Sequence, residues 1–278
     1  MNIREWPLVV FTLTGQAAAG LAVFLLLPGF TPAGRAADPL LHSLRMGAAL
    51  SVFILAGLAA AASLLHLGKA SRAPRSVVNA GTSWLSREVI ALLIFLAAAA
   101  ALVFAEGRGA GAGLRTILSY LTTAAGGMFV FSMAKIYMLP TVPEWNTPAT
   151  PAAFFSSALV LGALLAPFVL GFSARGVETN LPLVTLVVMG AGVLACLLFA
   201  PRFGLLAKKV AFPPFRPDPN LPAWFAGRIA LLALAILLWV VSIVIPGADV
   251  TASWASLAAA VGSEVLGRLL FYSLPSGL

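Results

Sequence analysis

The chain has 278 residues, 61% of them hydrophobic and only 9% charged, with a mean hydropathy of +1.02. Soluble domains carry about 25% charged residues, so this composition excludes that class and indicates an integral membrane protein. The net charge of +8 rests on 17 cations against 9 acids, and no polar face interleaves cations with aromatics, so nucleic acid is not an expected partner. Clustered in loops, these cations suit anionic lipid or an acidic protein surface.

A bilayer core of about 30 Å takes about 20 apolar residues of helix. Windows of that size find eight runs, at 7–27, 44–66, 86–105, 114–137, 152–172, 181–200, 223–245 and 251–272. Each is apolar on all faces and longer than a strand, where a β-barrel would alternate. Proline, glycine or charge bounds each run, as Pro28-Gly29 does the first and Pro201-Arg202 the sixth. Small residues recur within them (Gly57 to Ala62, Gly162 to Ala166) and let helix backbones approach closely in lipid. The expected fold is all-α: a bundle of eight transmembrane helices forming one membrane domain over 1–278. The first run is too long, and its start too weakly basic, for a removed signal peptide. Retention is expected.

Eight crossings place both termini and the loops 67–85, 138–151 and 201–222 on one side. Twelve cations fall on that side and five on the other, which by the positive-inside rule makes it cytoplasmic. In a bacterium the membrane is then the inner one. The lone cysteine, Cys196, lies inside an apolar run, with no partner for a disulfide or a metal. Of the two histidines, His42 precedes the second run and His66 ends it, about 36 Å away along a helix. They lie at opposite membrane faces, so they do not hold one haem iron between them, and no short metal or nucleotide motif occurs. No haem and no metal are expected in this chain.

The most unusual stretch in so sparsely charged a chain is 66–88, which carries His66, Glu88, Lys69, Arg72, Arg75 and Arg87. One reading is structural: His66 bonds the loop, and Glu88 pairs with Arg87 or Arg75 at a helix start. The other is chemical. Oxidising a quinol releases two electrons and two protons, and an imidazole with a partly buried carboxyl beside it suits proton removal. Two further constellations share the predicted cytoplasmic side. Glu264, Arg268 and Tyr272 lie on one face of the last run, where Glu264 and Arg268 read as an internal ion pair. The loop 135–148 holds Pro140, Pro143 and Pro148 with Tyr137 and Trp145, either as an aromatic belt or as a rigid docking surface.

Several short motifs, in this order along nearly the whole chain, resemble the membrane anchor subunit of dimethyl sulfoxide reductase and its relatives. They are Trp6-Pro7-Leu8 with Gly15-Gln16, His66-Leu67-Gly68, Arg72-Ala73, Ser86-Arg87-Glu88, Thr141-Val142-Pro143 with Trp145 and Thr147-Pro148, and Glu264 with Gly267-Arg268 and Phe271-Tyr272. The resemblance implies an anchor without its own metal. It also implies two partners: an iron–sulfur subunit with four [4Fe–4S] clusters and a molybdopterin catalytic subunit. In that family a histidine ending helix two and a glutamate opening helix three are associated with menaquinol oxidation, and they match His66 and Glu88. Arg72 and Trp84 are assigned with them to quinone binding, and Lys69, Arg75, Tyr137 and Trp145 to partner docking. Relatives also run in reverse, as sulfite dehydrogenase anchors feeding the quinone pool. Direction, terminal substrate, and menaquinone versus ubiquinone stay open. An inert structural anchor and a small-solute transporter are the rival readings; the transporter fits poorly, because the helix centres are nearly uncharged and no repeat relates the halves.

Overall fold

In lipid every backbone polar group must bond within its own segment, and the apolar runs accordingly wind into helices. The computed structural model describes residues 6–26, 39–66, 79–143, 145–169, 185–198 and 221–273. Eight helices occur among them: α1 (Trp6–Phe24), α2 (Pro39–His66), α3 (Trp84–Gly107), α4 (Ala112–Tyr137), α5 (Ala149–Val169), α6 (Thr185–Leu198), α7 (Leu221–Val244) and α8 (Asp249–Ser273). Seven are long and apolar enough to cross a membrane, and α6 is not. Its described part reaches only about 21 Å at 1.5 Å per residue, so seven described spans stand where eight were expected.

Two boundaries also differ from the sequence reading. Helix α2 starts at Pro39, so His42 lies inside it; proline is tolerated in a first turn because its missing N–H would be unsatisfied there anyway. Helix α4 ends at Tyr137, as the run 114–137 does, so the loop read from 135 starts after Tyr137 and leaves Lys135 and Tyr137 in the last turn of the helix. The turn from α3 to α4 is tight, and Gly109 supplies its positive φ of 62°. At the start of α3, Ser83 is the N-cap and its side chain accepts from the Ser86 N–H.

Helix α1 forms the centre, with 72% of its span buried, and it packs on α2, α4, α5 and α8. Its closest approach is to α5, where a Cβ on Gly20 would run into the Ala158 carbonyl and one on Gly162 into the backbone of Gly20 and Leu21. Beyond α1, α3 packs on α4, α2 on α3 and α7 on α8, and α5 also meets α2, α4 and α8. Buried Phe95, Phe129, Met133 and Phe154 fill the space around α1.

The alternating helix directions collect polar groups at two opposite ends of the bundle. One end gathers the C-termini of α2, α4 and α8 and the N-termini of α1, α3, α5 and α7. It is joined by contacts such as the Tyr137 and Tyr272 hydroxyls at 3.2 Å. The far end gathers the start of α2, the end of α3 and the start of α4.

Candidate functional site

Glu88 sits in the first turns of α3 and is 6% exposed. Arg87, its neighbour in sequence, points elsewhere. The Arg87 guanidinium donates to the Ala80 carbonyl at 2.8 Å and the Gly81 carbonyl at 2.7 Å, and it lies 4.3 Å from the centre of the Trp84 ring. The Arg87–Glu88 pair allowed for in the sequence therefore does not form, because the two side chains leave the helix in different directions. Among the described residues the Glu88 carboxyl has no hydrogen-bond or ion-pair partner. It lies within electrostatic range of the Tyr137 and Tyr272 hydroxyls. His66 ends α2 at this same end of the bundle, while its side chain, together with Lys69, Arg72 and Arg75, lies outside the described residues.

Trp84, expected to contact a quinone, does not offer a bare ring. Arg87 covers it, the Lys135 ammonium lies 5.4 Å from its centre, and Phe131 meets it edge-on at 5.9 Å. Tyr137 and Trp145, expected to face a docked partner, turn inward instead. Trp145 stacks on Phe271 with centroids 5.2 Å apart and donates its indole N–H to the Phe271 carbonyl at 3.0 Å. Tyr137 packs against Trp145, Phe154, Phe271 and Tyr272. This aromatic cluster ties the proline-rich loop to α8, and large rings with one polar atom each bury well there.

The ion pair expected between Glu264 and Arg268 is replaced by a bridge. The Ser157 hydroxyl donates to Glu264 Oε2 at 2.6 Å and accepts from Arg268 Nη2 at 3.3 Å. Arg268 also donates to Gln16 Oε1 at 2.7 Å and lies 3.9 Å over the Phe154 ring, while the charge nearest Glu264 is Arg228 at 3.8 Å. The one-face spacing of Glu264 and Arg268 was legible; their separation by a serine from α5 was not. These buried groups join α1, α5, α7 and α8 and stand around a small cavity also lined by Gly267 and Phe271.

At the far end, sequence reasoning missed a second buried cluster. Glu106 at the end of α3 takes Arg45 from α2 at 2.6 Å and Arg115 from α4 at 3.1 Å, with every side chain at most 8% exposed. His42 Nε2 lies 2.8 Å from the Glu106 carbonyl oxygen. The signal was present as charges next to apolar runs, which read there as loop charges on the opposite membrane face. Among the described residues, no three His, Cys, Asp or Glu side chains converge as a metal site would require.

The family model for the DMSO reductase anchor subunit (DmsC) matches residues 1–274. The chain is similar to the anaerobic dimethyl sulfoxide reductase chain YnfH of Escherichia coli K12, at 30% identity over 280 residues, covering 98% of this chain and 95% of that one. It is also similar to a second anaerobic dimethyl sulfoxide reductase chain of the same organism, at 30% identity over 281 residues with the same coverage. Over 131 residues it is 35% identical to a sulfite dehydrogenase subunit of Allochromatium vinosum, covering 41% of this chain and 38% of that one. With seven described apolar spans and a family match along almost its entire length, the chain belongs to the DMSO reductase anchor subunit family, DmsC.

Proposed function

We propose that this chain is the quinone-reactive membrane anchor of a molybdopterin oxidoreductase complex, passing electrons between the quinone pool and a docked iron–sulfur subunit with four [4Fe–4S] clusters. The observation that carries the reading is the Glu88 carboxyl, buried at one end of the bundle with no partner among the described residues. A buried carboxyl is costly unless it is paired, and ionisable groups inside membranes mark proton and substrate paths. Ala91 and Leu92, one turn deeper on α3, are buried and apolar and suit the ring and tail of a quinone.

Exchange with a quinone involves two electrons and two protons. His66 accepts a proton from the quinol hydroxyl, since an imidazole changes charge near neutral pH. Glu88 relays a proton between the site and water at the membrane edge, and Arg72 in the same loop holds the quinone oxygen. Lys69 and Arg75 face the acidic surface of the partner. The termini and the loop 67–85 lie in the cytoplasm under this reading, and the membrane is the bacterial inner membrane. The partial match to a sulfite dehydrogenase subunit supports either direction of electron flow.

Co-purification and redox titration test the proposal together. The expected result is an iron–sulfur subunit that purifies together with the anchor, with clusters that a quinone analogue reduces or oxidises. A chain that purifies alone and moves a solute across vesicles makes it a transporter, and clusters inert to quinone make it a passive anchor.

A further inference from the structure

Trp84, Arg87 and Lys135 form a patch that the proposed quinone chemistry does not use. The three side chains come from the start of α3 and the end of α4, at one membrane edge, and all are partly exposed. Two cations lie over or near one indole, Arg87 at 4.3 Å and Lys135 at 5.4 Å from its centre. Two of the Arg87 donors are spent on loop carbonyls, which fixes the guanidinium in place and leaves its remaining donors for another acceptor. Among the described residues neither cation is paired with a carboxylate.

The patch is also continuous with apolar surface. Phe131 packs edge-on to Trp84, Met128 lies one turn below it on α4, and Leu85 follows Trp84 on α3; all three are exposed hydrophobics. A cationic pair at the edge of the bundle, standing above exposed apolar side chains, matches the two halves of a phospholipid. We propose that Trp84, Arg87 and Lys135 bind the phosphate headgroup of an anionic phospholipid, whose acyl chains run down over Phe131 and Met128. The indole keeps both cations at interfacial depth by cation–π contact, at 4.3 and 5.4 Å from one ring centre, and so gathers their charge at one place on the membrane edge. An acidic protein partner fits less well, since it would leave the adjoining apolar flank uncovered.

The test is native mass spectrometry of the full-length chain released from micelles containing equal phosphatidylglycerol and phosphatidylcholine. The wild type is expected to retain phosphatidylglycerol preferentially. Lys135→Gln removes no side-chain hydrogen bond among the described residues, and it should lower that preference roughly fivefold, the usual weight of one cation at a lipid surface. Arg87→Gln with Lys135→Gln should abolish it. Arg108→Gln removes a comparable cation–π arginine at the far end, 5.1 Å from the Phe104 ring, and should leave the preference unchanged. Equal retention of both lipids by the wild type overturns the proposal, as does an equal loss in the Arg108 variant. Complete displacement of the lipid by millimolar glycerol 1-phosphate also overturns it, because the acyl chains would then contribute nothing.

Discussion

Glu106→Gln is a substitution for which the structure predicts a large, measurable loss of stability. The carboxylate holds Arg45 at 2.6 Å and Arg115 at 3.1 Å, and the three side chains are between 2% and 8% exposed. At an effective dielectric of about 20, two such pairs attract by roughly 5–6 kcal/mol each, most of it offset by taking the ions out of water. Removing one partner forfeits that attraction and keeps the desolvation, a loss of about 3–5 kcal/mol in soluble proteins. Unfolded helices in a membrane find other polar partners, which places this chain near the lower figure, about 3 kcal/mol. Unfolding in mixed micelles by sodium dodecyl sulfate titration reads the loss directly. The triple variant Arg45→Met, Glu106→Met, Arg115→Met should stay within about 1 kcal/mol of wild type, because well-packed apolar replacements of a buried ion cluster are often neutral. A single variant as stable as wild type, or a triple variant worse than the single, refutes the assignment of this cluster as a charge-balanced lock.

Other parts of the bundle give sharper local outcomes. Gly162→Leu places its side chain into the backbone of Gly20 and Leu21 and should prevent α1 and α5 from meeting, seen as loss of the folded peak in size-exclusion chromatography; Gly127→Leu, which meets open space, should not. Ser157→Ala removes the bridge between Glu264 and Arg268 and should cost about 1–3 kcal/mol in the same detergent titration. Trp145→Phe keeps much of the stacking on Phe271 but loses the bond to its carbonyl, and limited proteolysis within 138–148 should become faster.

The spans were legible because apolar length and breaker residues are one-dimensional signals, and seven of the eight runs reappear as long apolar helices within a few residues. The placement of Glu88 at a helix start was equally legible, because the apolar run beginning at 86 follows directly on the charged stretch. What failed were statements about pairs. Glu264 and Arg268 share a helix face, yet a serine 107 residues from Glu264 in sequence intervenes. Arg45, Glu106 and Arg115 belong to three different helices, and nothing in spacing says that their ends converge. Tyr137 and Trp145 read as surface aromatics because loop composition carries no information on whether a loop folds back over a helix end. Charge pairing inside a membrane depends on helix order and rotation, which hydropathy does not encode.

The central claim is that Glu88 works at a quinone site. The most direct measurement is the rate at which a quinol analogue reduces the iron–sulfur clusters of the assembled complex, followed by their absorbance, in wild type and Glu88→Gln. Glutamine keeps the size of the side chain and one acceptor oxygen, and it can neither take nor release a proton. The variant is predicted to assemble with its partners in normal amount and to lose quinol-linked cluster reduction by a factor of ten or more, on the order of the contribution of a positioned general base. A fully assembled Glu88→Gln complex that reduces its clusters at the wild-type rate would contradict the claim.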